Sequence, residues 1–175
     1  GLFPVELLFF KAKMLNDVTV SDDGTVYVSD LLGGGLYRLQ NNKLELWLSH
    51  SQLPHPNCVL WYQGGLLVAN WGEDMQADFS TKLPGTLYRL NIQTKKLTPE
   101  ATGYHLGNLD GIVVDNGAIY VSDWLTGELY QLANNERHRI SRFPTGLADI
   151  GGAGKGIIYA PLMMDNRVLA LEIMP

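Results

Sequence analysis

Four copies of one sequence pattern constrain this 175-residue chain more than any other feature. In each copy an aspartate or asparagine precedes a short apolar run by about ten residues, and a second apolar run follows a glycine or a turn. The residues aligned in the first run are separated by 40, 53 and 39 positions; they are Tyr27, Leu67, Tyr120 and Tyr159. A period near 40 with several β-rich runs per unit is typical of β-propeller blades. We therefore predict an all-β propeller of four repeats.

The repeats lie at residues 14–48, 54–98, 106–143 and 146–173 of one domain that spans 1–175. Their apolar runs are short, rich in Val, Ile, Leu and Tyr, and bounded by Asp-Gly, Gly-Gly or Asn-Gly pairs. Such runs predict antiparallel strands joined by tight turns. A helical solenoid of the same period would need amphipathic helices, and the sequence shows no such pattern. The one long interval indicates an insertion in the second repeat, roughly at residues 71–83.

Each repeat predicts four strands, except that the fourth repeat ends after three. The apolar stretch Val5–Phe10 precedes the first repeat by the offset at which Leu44–Leu48 precedes the second. It could therefore supply the missing strand and close the ring, within one chain or between two chains, which would remove exposed sheet edges. Alternatively it is an unpaired edge of an incomplete propeller. The tyrosines of the second and third strands are expected in the core.

Charge and composition exclude several classes of function. The formal net charge of −5 argues against a nucleic-acid partner, and no run approaches the roughly 20 apolar residues that span a bilayer. A signal-peptide pattern is also missing, so we expect a soluble protein without a membrane partner, in either the periplasm or the cytoplasm. The only cysteine, Cys58, rules out an internal disulfide and a cysteine-based zinc cluster, and is expected to be buried.

Oxygen-bearing side chains recur at the start of each first strand, which is the innermost strand of a propeller blade. The aligned residues are Asn16, Asn57, Asp110 and Asp149. The ends of the second strands lie beside them in an antiparallel blade; these are Asp30, Asn70, Asp123 and, where the pattern breaks, Leu162. Carboxylate and amide oxygens suit Ca²⁺ better than Zn²⁺. Asp and Asn also cap turns without binding anything, so both interpretations stay open.

The loops that follow the second strands should lie on the same face as this ring. They contain Trp71, Trp124 and the insertion with Phe79. We expect the two indoles to contact a substrate and the insertion to act as a partial lid.

The pairs Asn16-Asp17 and Pro56-Asn57 and the triplet Leu109-Asp110-Gly111 resemble motifs of the senescence-marker-protein/gluconolactonase family. The run from Asp110 to Asp123 is also similar to NHL repeats, and the resemblance covers residues 14–173. Family members are typically six-bladed propellers that hydrolyse lactones with one divalent cation. The resemblance implies that Asn57 and Asp110 are cation ligands and that Asn16 is a third channel ligand, in contact with cation, substrate or water.

The sequence also departs from that family. Cys58 stands where a glycine follows the ligand asparagine, Met14 replaces a sugar-binding arginine, and the family's glutamate ligand has no counterpart here. The resemblance implies calcium-assisted hydrolysis of a small lactone, ester or sugar-like ligand, with Asp110 or Asp149 as general base and Asn16, Trp71 and Trp124 around the substrate. The alternatives are a truncated inactive relative, a non-enzymatic NHL-like binding propeller, or a half-propeller that assembles as a homodimer.

Overall fold

The computed structural model describes residues 11–173 and shows four antiparallel sheets in succession, arranged as the blades of a four-bladed β-propeller. The predicted fold is thus confirmed. The stretch Val5–Phe10, predicted as a strand, lies outside the described residues. Within residues 11–173, no helix is long and apolar enough to cross a membrane.

Blade 1 is a meander of four strands in sequence order, and these are β1 (Leu15–Val20), β2 (Val26–Asp30), β3 (Gly35–Gln40) and β4 (Lys43–Ser49). Blade 2 begins with β5 (Pro56–Tyr62) and β6 (Gly65–Asn70). The insertion then forms a separate hairpin of β7 (Gly72–Glu73) and β8 (Leu83–Pro84), as its position between two strands of the repeat requires. Blade 2 is completed by β9 (Leu87–Leu90) and β10 (Leu97–Pro99).

Blade 3 repeats the meander with β11 (Leu109–Asp115), β12 (Ala118–Asp123), β13 (Glu128–Ala133) and β14 (Glu136–Arg142). Blade 4 has three strands among the described residues, namely β15 (Gly151–Gly154), β16 (Ile157–Leu162) and β17 (Arg167–Glu172). Two single 3₁₀ turns, Ala101–Gly103 and Met163–Asp165, are the remaining regular elements of this part of the chain.

Asparagine pairs explain the tight turns between the outer strands. Asn41 and Asn42 join β3 to β4 with φ values of 50° and 60°, and Asn134 and Asn135 join β13 to β14 with φ values of 52° and 59°. Two successive left-handed residues make the turn whose twist matches that of the flanking strands, and asparagine tolerates this region better than most residues.

Three buried clusters hold the blades together, one between each pair of consecutive blades. Blades 1 and 2 share Tyr27, Leu36, Val59 and Leu66; the next two interfaces are built in the same way. Because side chains alternate along a strand, blades 2 and 3 each pack one face on the blade before them and the other face on the blade after them.

The tyrosines on the second strand show where this pattern stops. Tyr27 and Tyr120 are buried, as predicted. For Tyr159 the core prediction was wrong, since this side chain is 43% exposed. It lies on the outer face of blade 4, against which no other blade packs within residues 11–173.

Candidate functional site

A β-bulge recurs at the same place in three inner strands. The pairing of β1 with β2 shifts between Leu15 and Val18, that of β5 with β6 between Pro56 and Val59, and that of β11 with β12 between Leu109 and Ile112. A bulge turns a side chain out of the regular alternation of a strand. Each bulge contains one residue of the predicted oxygen ring, and these residues are Asn16, Asn57 and Asp110. In blade 4, Asp149 lies at the equivalent place, between the isolated bridge of Leu147 with Leu162 and the strand pairing that begins at Gly151.

Gly111 allows the inner strands of blades 3 and 4 to approach closely at this level. A β-carbon placed on it would lie 2.1 Å from the backbone nitrogen of Ile150. The glycine in the Asp110-Gly111 pair therefore has a physical reason, because any larger residue would push Asp149 away from Asp110.

Two serines at the ends of the second strands join neighbouring blades and were not singled out by the sequence analysis. Ser122 Oγ accepts a hydrogen bond from Gly111 N at 2.8 Å and donates one to Ala148 O at 3.0 Å. Ser29 Oγ accepts from Asp17 N at 3.0 Å and donates to Asn57 O. Each serine thus joins the backbone next to the ring residue of its own blade to the backbone at or next to the ring residue of the following blade. The repeated Val-Ser-Asp triplet, at residues 28–30 and 121–123, is the sequence signal that could have identified them.

Three side chains of the oxygen ring form a hydrogen-bonded row at the mouth of the channel, and Asp149 lies beside it. Asn16 Nδ2 donates to Asn57 Oδ1, and Asn57 Nδ2 donates to Asp110 Oδ1 at 3.1 Å and to Leu109 O at 3.0 Å. Asn57 is buried, whereas Asn16 faces solvent. Asp149 lies 3.9 Å from the sulfur of Cys58, which is buried as predicted. The structure thus brings together the four residues that the repeat alignment grouped.

Burial and neighbouring negative charges raise the pKa values of Asp110 and Asp149. Loss of hydration raises the pKa of Asp110 to about 7; the charge of Asp149 adds to this rise, and the hydrogen bond from Asn57 opposes it. Loss of hydration in the channel also raises the pKa of Asp149, to about 6, and the negative charge of Asp17 adds to this rise. The side chain of Asp149 still reaches solvent, so water in the channel weakens both contributions. Carboxyl groups that titrate near neutral pH are suited to proton transfer.

The ring closes the floor of a cavity of about 470 Å³ whose wall is apolar. Trp71, Trp124 and Phe79 line it, as does Met14, which stands where the resembled family has a sugar-binding arginine. Met163 and Met164, which the sequence analysis missed, complete the wall. Met163 and Met164 belong to a 3₁₀ turn without counterparts in the other repeats, so the period gave no signal for them. No Lys, Arg or His is among the described residues that line the cavity.

The insertion is fixed by hydrogen bonds within it and by hydrogen bonds from Asn108, which precedes the first strand of blade 3. Trp71 Nε1 donates to Phe79 O at 2.8 Å, and the rings of Trp71 and Trp124 lie 6.0 Å apart. Asn108 Nδ2 donates to both Trp71 O and Thr81 Oγ1 at 2.9 Å. These bonds hold Trp71 at the edge of the cavity with the ring of Trp124 beside it, on the face where the sequence analysis expected both indoles.

The residues at the ends of the second strands hold loops rather than line the cavity. The carboxylate of Asp30 accepts hydrogen bonds from the backbone of Lys13, Met14 and Gly33. Asn70 Oδ1 accepts from His55 N, and Asp123 Oδ1 accepts from Thr126 N, each at 3.0 Å. Of the two interpretations open for this second ring, the structure therefore favours the turn cap.

The channel mouth offers a mixed set of amide and carboxylate oxygens to a divalent cation. Within residues 11–173 no three His, Cys, Asp or Glu side chains are grouped closely enough to hold a metal ion. A cation site would therefore depend on amide oxygens as well as on Asp110. One of these, the Oδ1 atom of Asn57, accepts a hydrogen bond from Asn16. Oxygen donors of these types are those that Ca²⁺ prefers, and a cation would also stabilise the carboxylate of Asp110, whose pKa is raised by burial and by the charge of Asp149. The chemistry of the donor set fits a hard cation.

Comparison with known proteins supports the fold and leaves the finer family open. The sequence matches no protein-family model and no curated protein sequence. Among solved structures, the chain is similar to virginiamycin B lyase from Staphylococcus aureus, with a TM-score of 0.60 and 14% identity over 92% of this chain. It covers 56% of that lyase, so it spans little more than half of the lyase's length.

Two further structures share the architecture. An auxiliary nutrient binding protein from Bacteroides thetaiotaomicron has a TM-score of 0.72 and 14% identity over 93% of this chain and 39% of its own. The computationally designed protein Ika4 has a TM-score of 0.65 and 10% identity, and the match covers 99% of both chains. At such identities the similarity shows the β-propeller fold alone.

Proposed function

We propose that the channel mouth is a cation-assisted hydrolase site for small neutral lactones or esters. The observation that carries the proposal is the hydrogen-bonded row of Asn16, Asn57 and Asp110 beside a second carboxyl group, Asp149. The row offers oxygen ligands, and the second carboxyl group offers a base. The resemblance to gluconolactonase-like propellers supports the same assignment.

The two carboxyl groups have different roles, Asp110 as a cation ligand and Asp149 as the base. Asp110 receives a hydrogen bond from the buried Asn57 and is held in place by it, which suits a cation ligand. Asp149 lies at the solvent-exposed side of the ring, where it can take a proton from water and return it to the leaving alkoxide. A Ca²⁺ ion held by Asp110, Asn57 and Asn16 would supply stabilisation of negative charge on the substrate's carbonyl oxygen.

The wall of the cavity selects the substrate class. Two indoles, Phe79 and the methionines offer apolar surface, and the described lining contains no cationic side chain that could pair with a carboxylate or phosphate. A compact neutral ring fits this surface better than an anion does. This preference agrees with the net charge of −5 for the whole chain.

Turnover of a panel of aliphatic and sugar lactones, followed with a pH indicator with and without Ca²⁺, tests the proposal. Asp149→Asn should lower the rate by at least about a hundredfold, since general acid–base groups contribute roughly 10²–10⁴. Asp110→Asn should lower the rate to that measured without added Ca²⁺, since it removes the charged ligand of the cation. Asp78→Asn, on the exposed part of the insertion, is the control and should leave the rate unchanged. Calorimetric titration with Ca²⁺ should show binding that Asp110→Asn removes and Asp149→Asn retains.

A non-enzymatic binding site is the second candidate, and the apolar, aromatic mouth favours it. One structural neighbour is named a nutrient binding protein. If no lactone is hydrolysed with any added cation, but apolar rings quench the fluorescence of Trp71 and Trp124, the hydrolase proposal is refuted in favour of binding.

A further inference from the structure

The face that each blade turns to the following blade carries the same two buried positions. On the third strand these are Leu36, Leu87 and Leu129, which are 0%, 0% and 1% exposed. The equivalent residue of blade 4, Val168, is 65% exposed. On the second strand, Tyr120 is 2% exposed but its equivalent Tyr159 is 43% exposed. Blade 4 thus has the interface residues of the other blades with no blade against them in the described part of the chain.

The face turned to the preceding blade shows the converse. Val59 of blade 2 and Ile112 of blade 3 are 2% and 4% exposed, because each packs on the blade before it. Their equivalent in blade 1 is Val18, which is 58% exposed. Val20, two residues further along the same face of β1, is 55% exposed. Blade 1 therefore also presents an uncovered interface.

These two faces match each other. The surface that covers Leu36, Leu87 and Leu129 is in every case the leading face of a blade, built around a residue such as Val59 or Ile112. Within residues 11–173, the only uncovered leading face is that of blade 1. We propose that blade 4 of one chain packs on blade 1 of a second copy, and that the reciprocal contact forms across a two-fold axis, so that two chains make one ring of eight blades.

The dimer would continue an interface that the chain already uses three times. Burial of apolar surface is its driving force, because Pro161 stands at the position of the bridging serines Ser29 and Ser122 and cannot repeat their hydrogen bonds. By the same repetition, Asn16 of one chain would follow Asp149 of the other in the row of inner-strand starts. The ring of oxygen-bearing side chains would then have eight members around a wider channel.

Sedimentation equilibrium of the chain over a wide range of concentrations measures this directly. We expect a species of twice the 19.4 kDa mass of one chain. Val18→Glu and Val168→Glu should each weaken the dimer by more than about tenfold, because each buries an unpaired charge in both contacts. Leu83→Glu, at a residue 46% exposed on the insertion hairpin, is the matched control and should dimerise like the original chain.

Mixing the two variants distinguishes this arrangement from a contact between identical faces. The mixture of Val18→Glu and Val168→Glu chains keeps one intact contact, so it should dimerise more tightly than either variant alone. A cysteine pair replaces the glutamates if circular dichroism shows that a glutamate variant does not fold. Chains with Val18→Cys and chains with Val168→Cys should be cross-linked by a short bis-maleimide only when the two are mixed. Cys58 does not compete for the reagent because it is buried. A monomer at every concentration would overturn the proposal and would assign both faces to blades of a longer polypeptide. The proposal would also be overturned if Val18→Glu and Val168→Glu chains dimerised as tightly as Leu83→Glu chains.

Discussion

Among the glycines of the inner strands, Gly111 is the one at which a change to alanine is expected to destabilise the protein most. The added β-carbon would lie 2.1 Å from Ile150 N and 2.9 Å from the carbonyl carbon of Asp149. Ordinary van der Waals contact begins near 3.4 Å, so the first distance is short by more than an ångström. Both atoms belong to the backbone of the neighbouring blade, and no side-chain rotation can relieve the clash. The inner strands of blades 3 and 4 must separate instead.

The cost follows from what overpacking does in a rigid core. Such substitutions cost about 1–3 kcal/mol, and a clash between two backbones belongs at the upper end, about 3 kcal/mol. For a domain of this length, about 1 kcal/mol lowers the melting temperature by roughly 2–4 °C, so we expect a fall of roughly 6–12 °C. Thermal and urea unfolding, both followed by circular dichroism at one pH, measure the two quantities independently.

Gly151→Ala provides the matched control in the adjacent strand. Nothing lies within 4 Å of a β-carbon at Gly151, and its φ is not in the left-handed region. This substitution should leave stability within about 1 kcal/mol of the original or raise it, since alanine restricts the unfolded chain. Equal stabilities for the two variants would refute the inference that the approach of blade 4 requires a glycine at this position.

Three further expectations concern single side chains. The pKa of Asp110 is about 7 in the folded chain against 3.8 for the free group, so stability should fall as the pH rises from about 4 to about 7, where the unfolded chain has lost this proton and the folded chain still holds it. Asp110→Asn should flatten the fall in urea midpoint over this range, while Asp22→Asn at the surface should not. Burial raises the pKa of the Cys58 thiol, so a thiol reagent should label it only after denaturant is added, and rapid labelling of the native chain would contradict its place in the core. Ser122→Ala removes the acceptor of Gly111 N and should cost about 1–3 kcal/mol in unfolding free energy, whereas the exposed Ser51→Ala should cost nothing measurable.

The sequence period was sufficient to predict the fold because each blade repeats the same strands and turns. It was also sufficient to group Asn16, Asn57, Asp110 and Asp149, because equivalent positions of a propeller meet at its axis. The period did not distinguish these four residues from Asp30, which caps a loop. An aspartate can do either, and the direction of its side chain determines whether it lines the cavity or caps a loop.

Other parts of the site had no periodic signal. Met163 and Met164 reach the cavity from a 3₁₀ turn that occurs in one repeat only. The link from Asn16 to Asn57 joins two blades, and its existence depends on the angle between them, which no local motif encodes. For the same reason, the exposure of Tyr159 could not be read from a residue type that is buried in the equivalent positions of blades 1 and 3.

The bulge at the start of the inner strand bears on how a site of this kind can originate. Duplication of an ancestral blade copies its bulge together with the side chain that the bulge presents, so one codon becomes a ring of identical polar groups around a common axis. Later substitutions need only diversify members of that ring, as the two carboxamides and two carboxylates here illustrate. A polar centre can thus precede any selected chemistry, and specialisation can proceed one blade at a time.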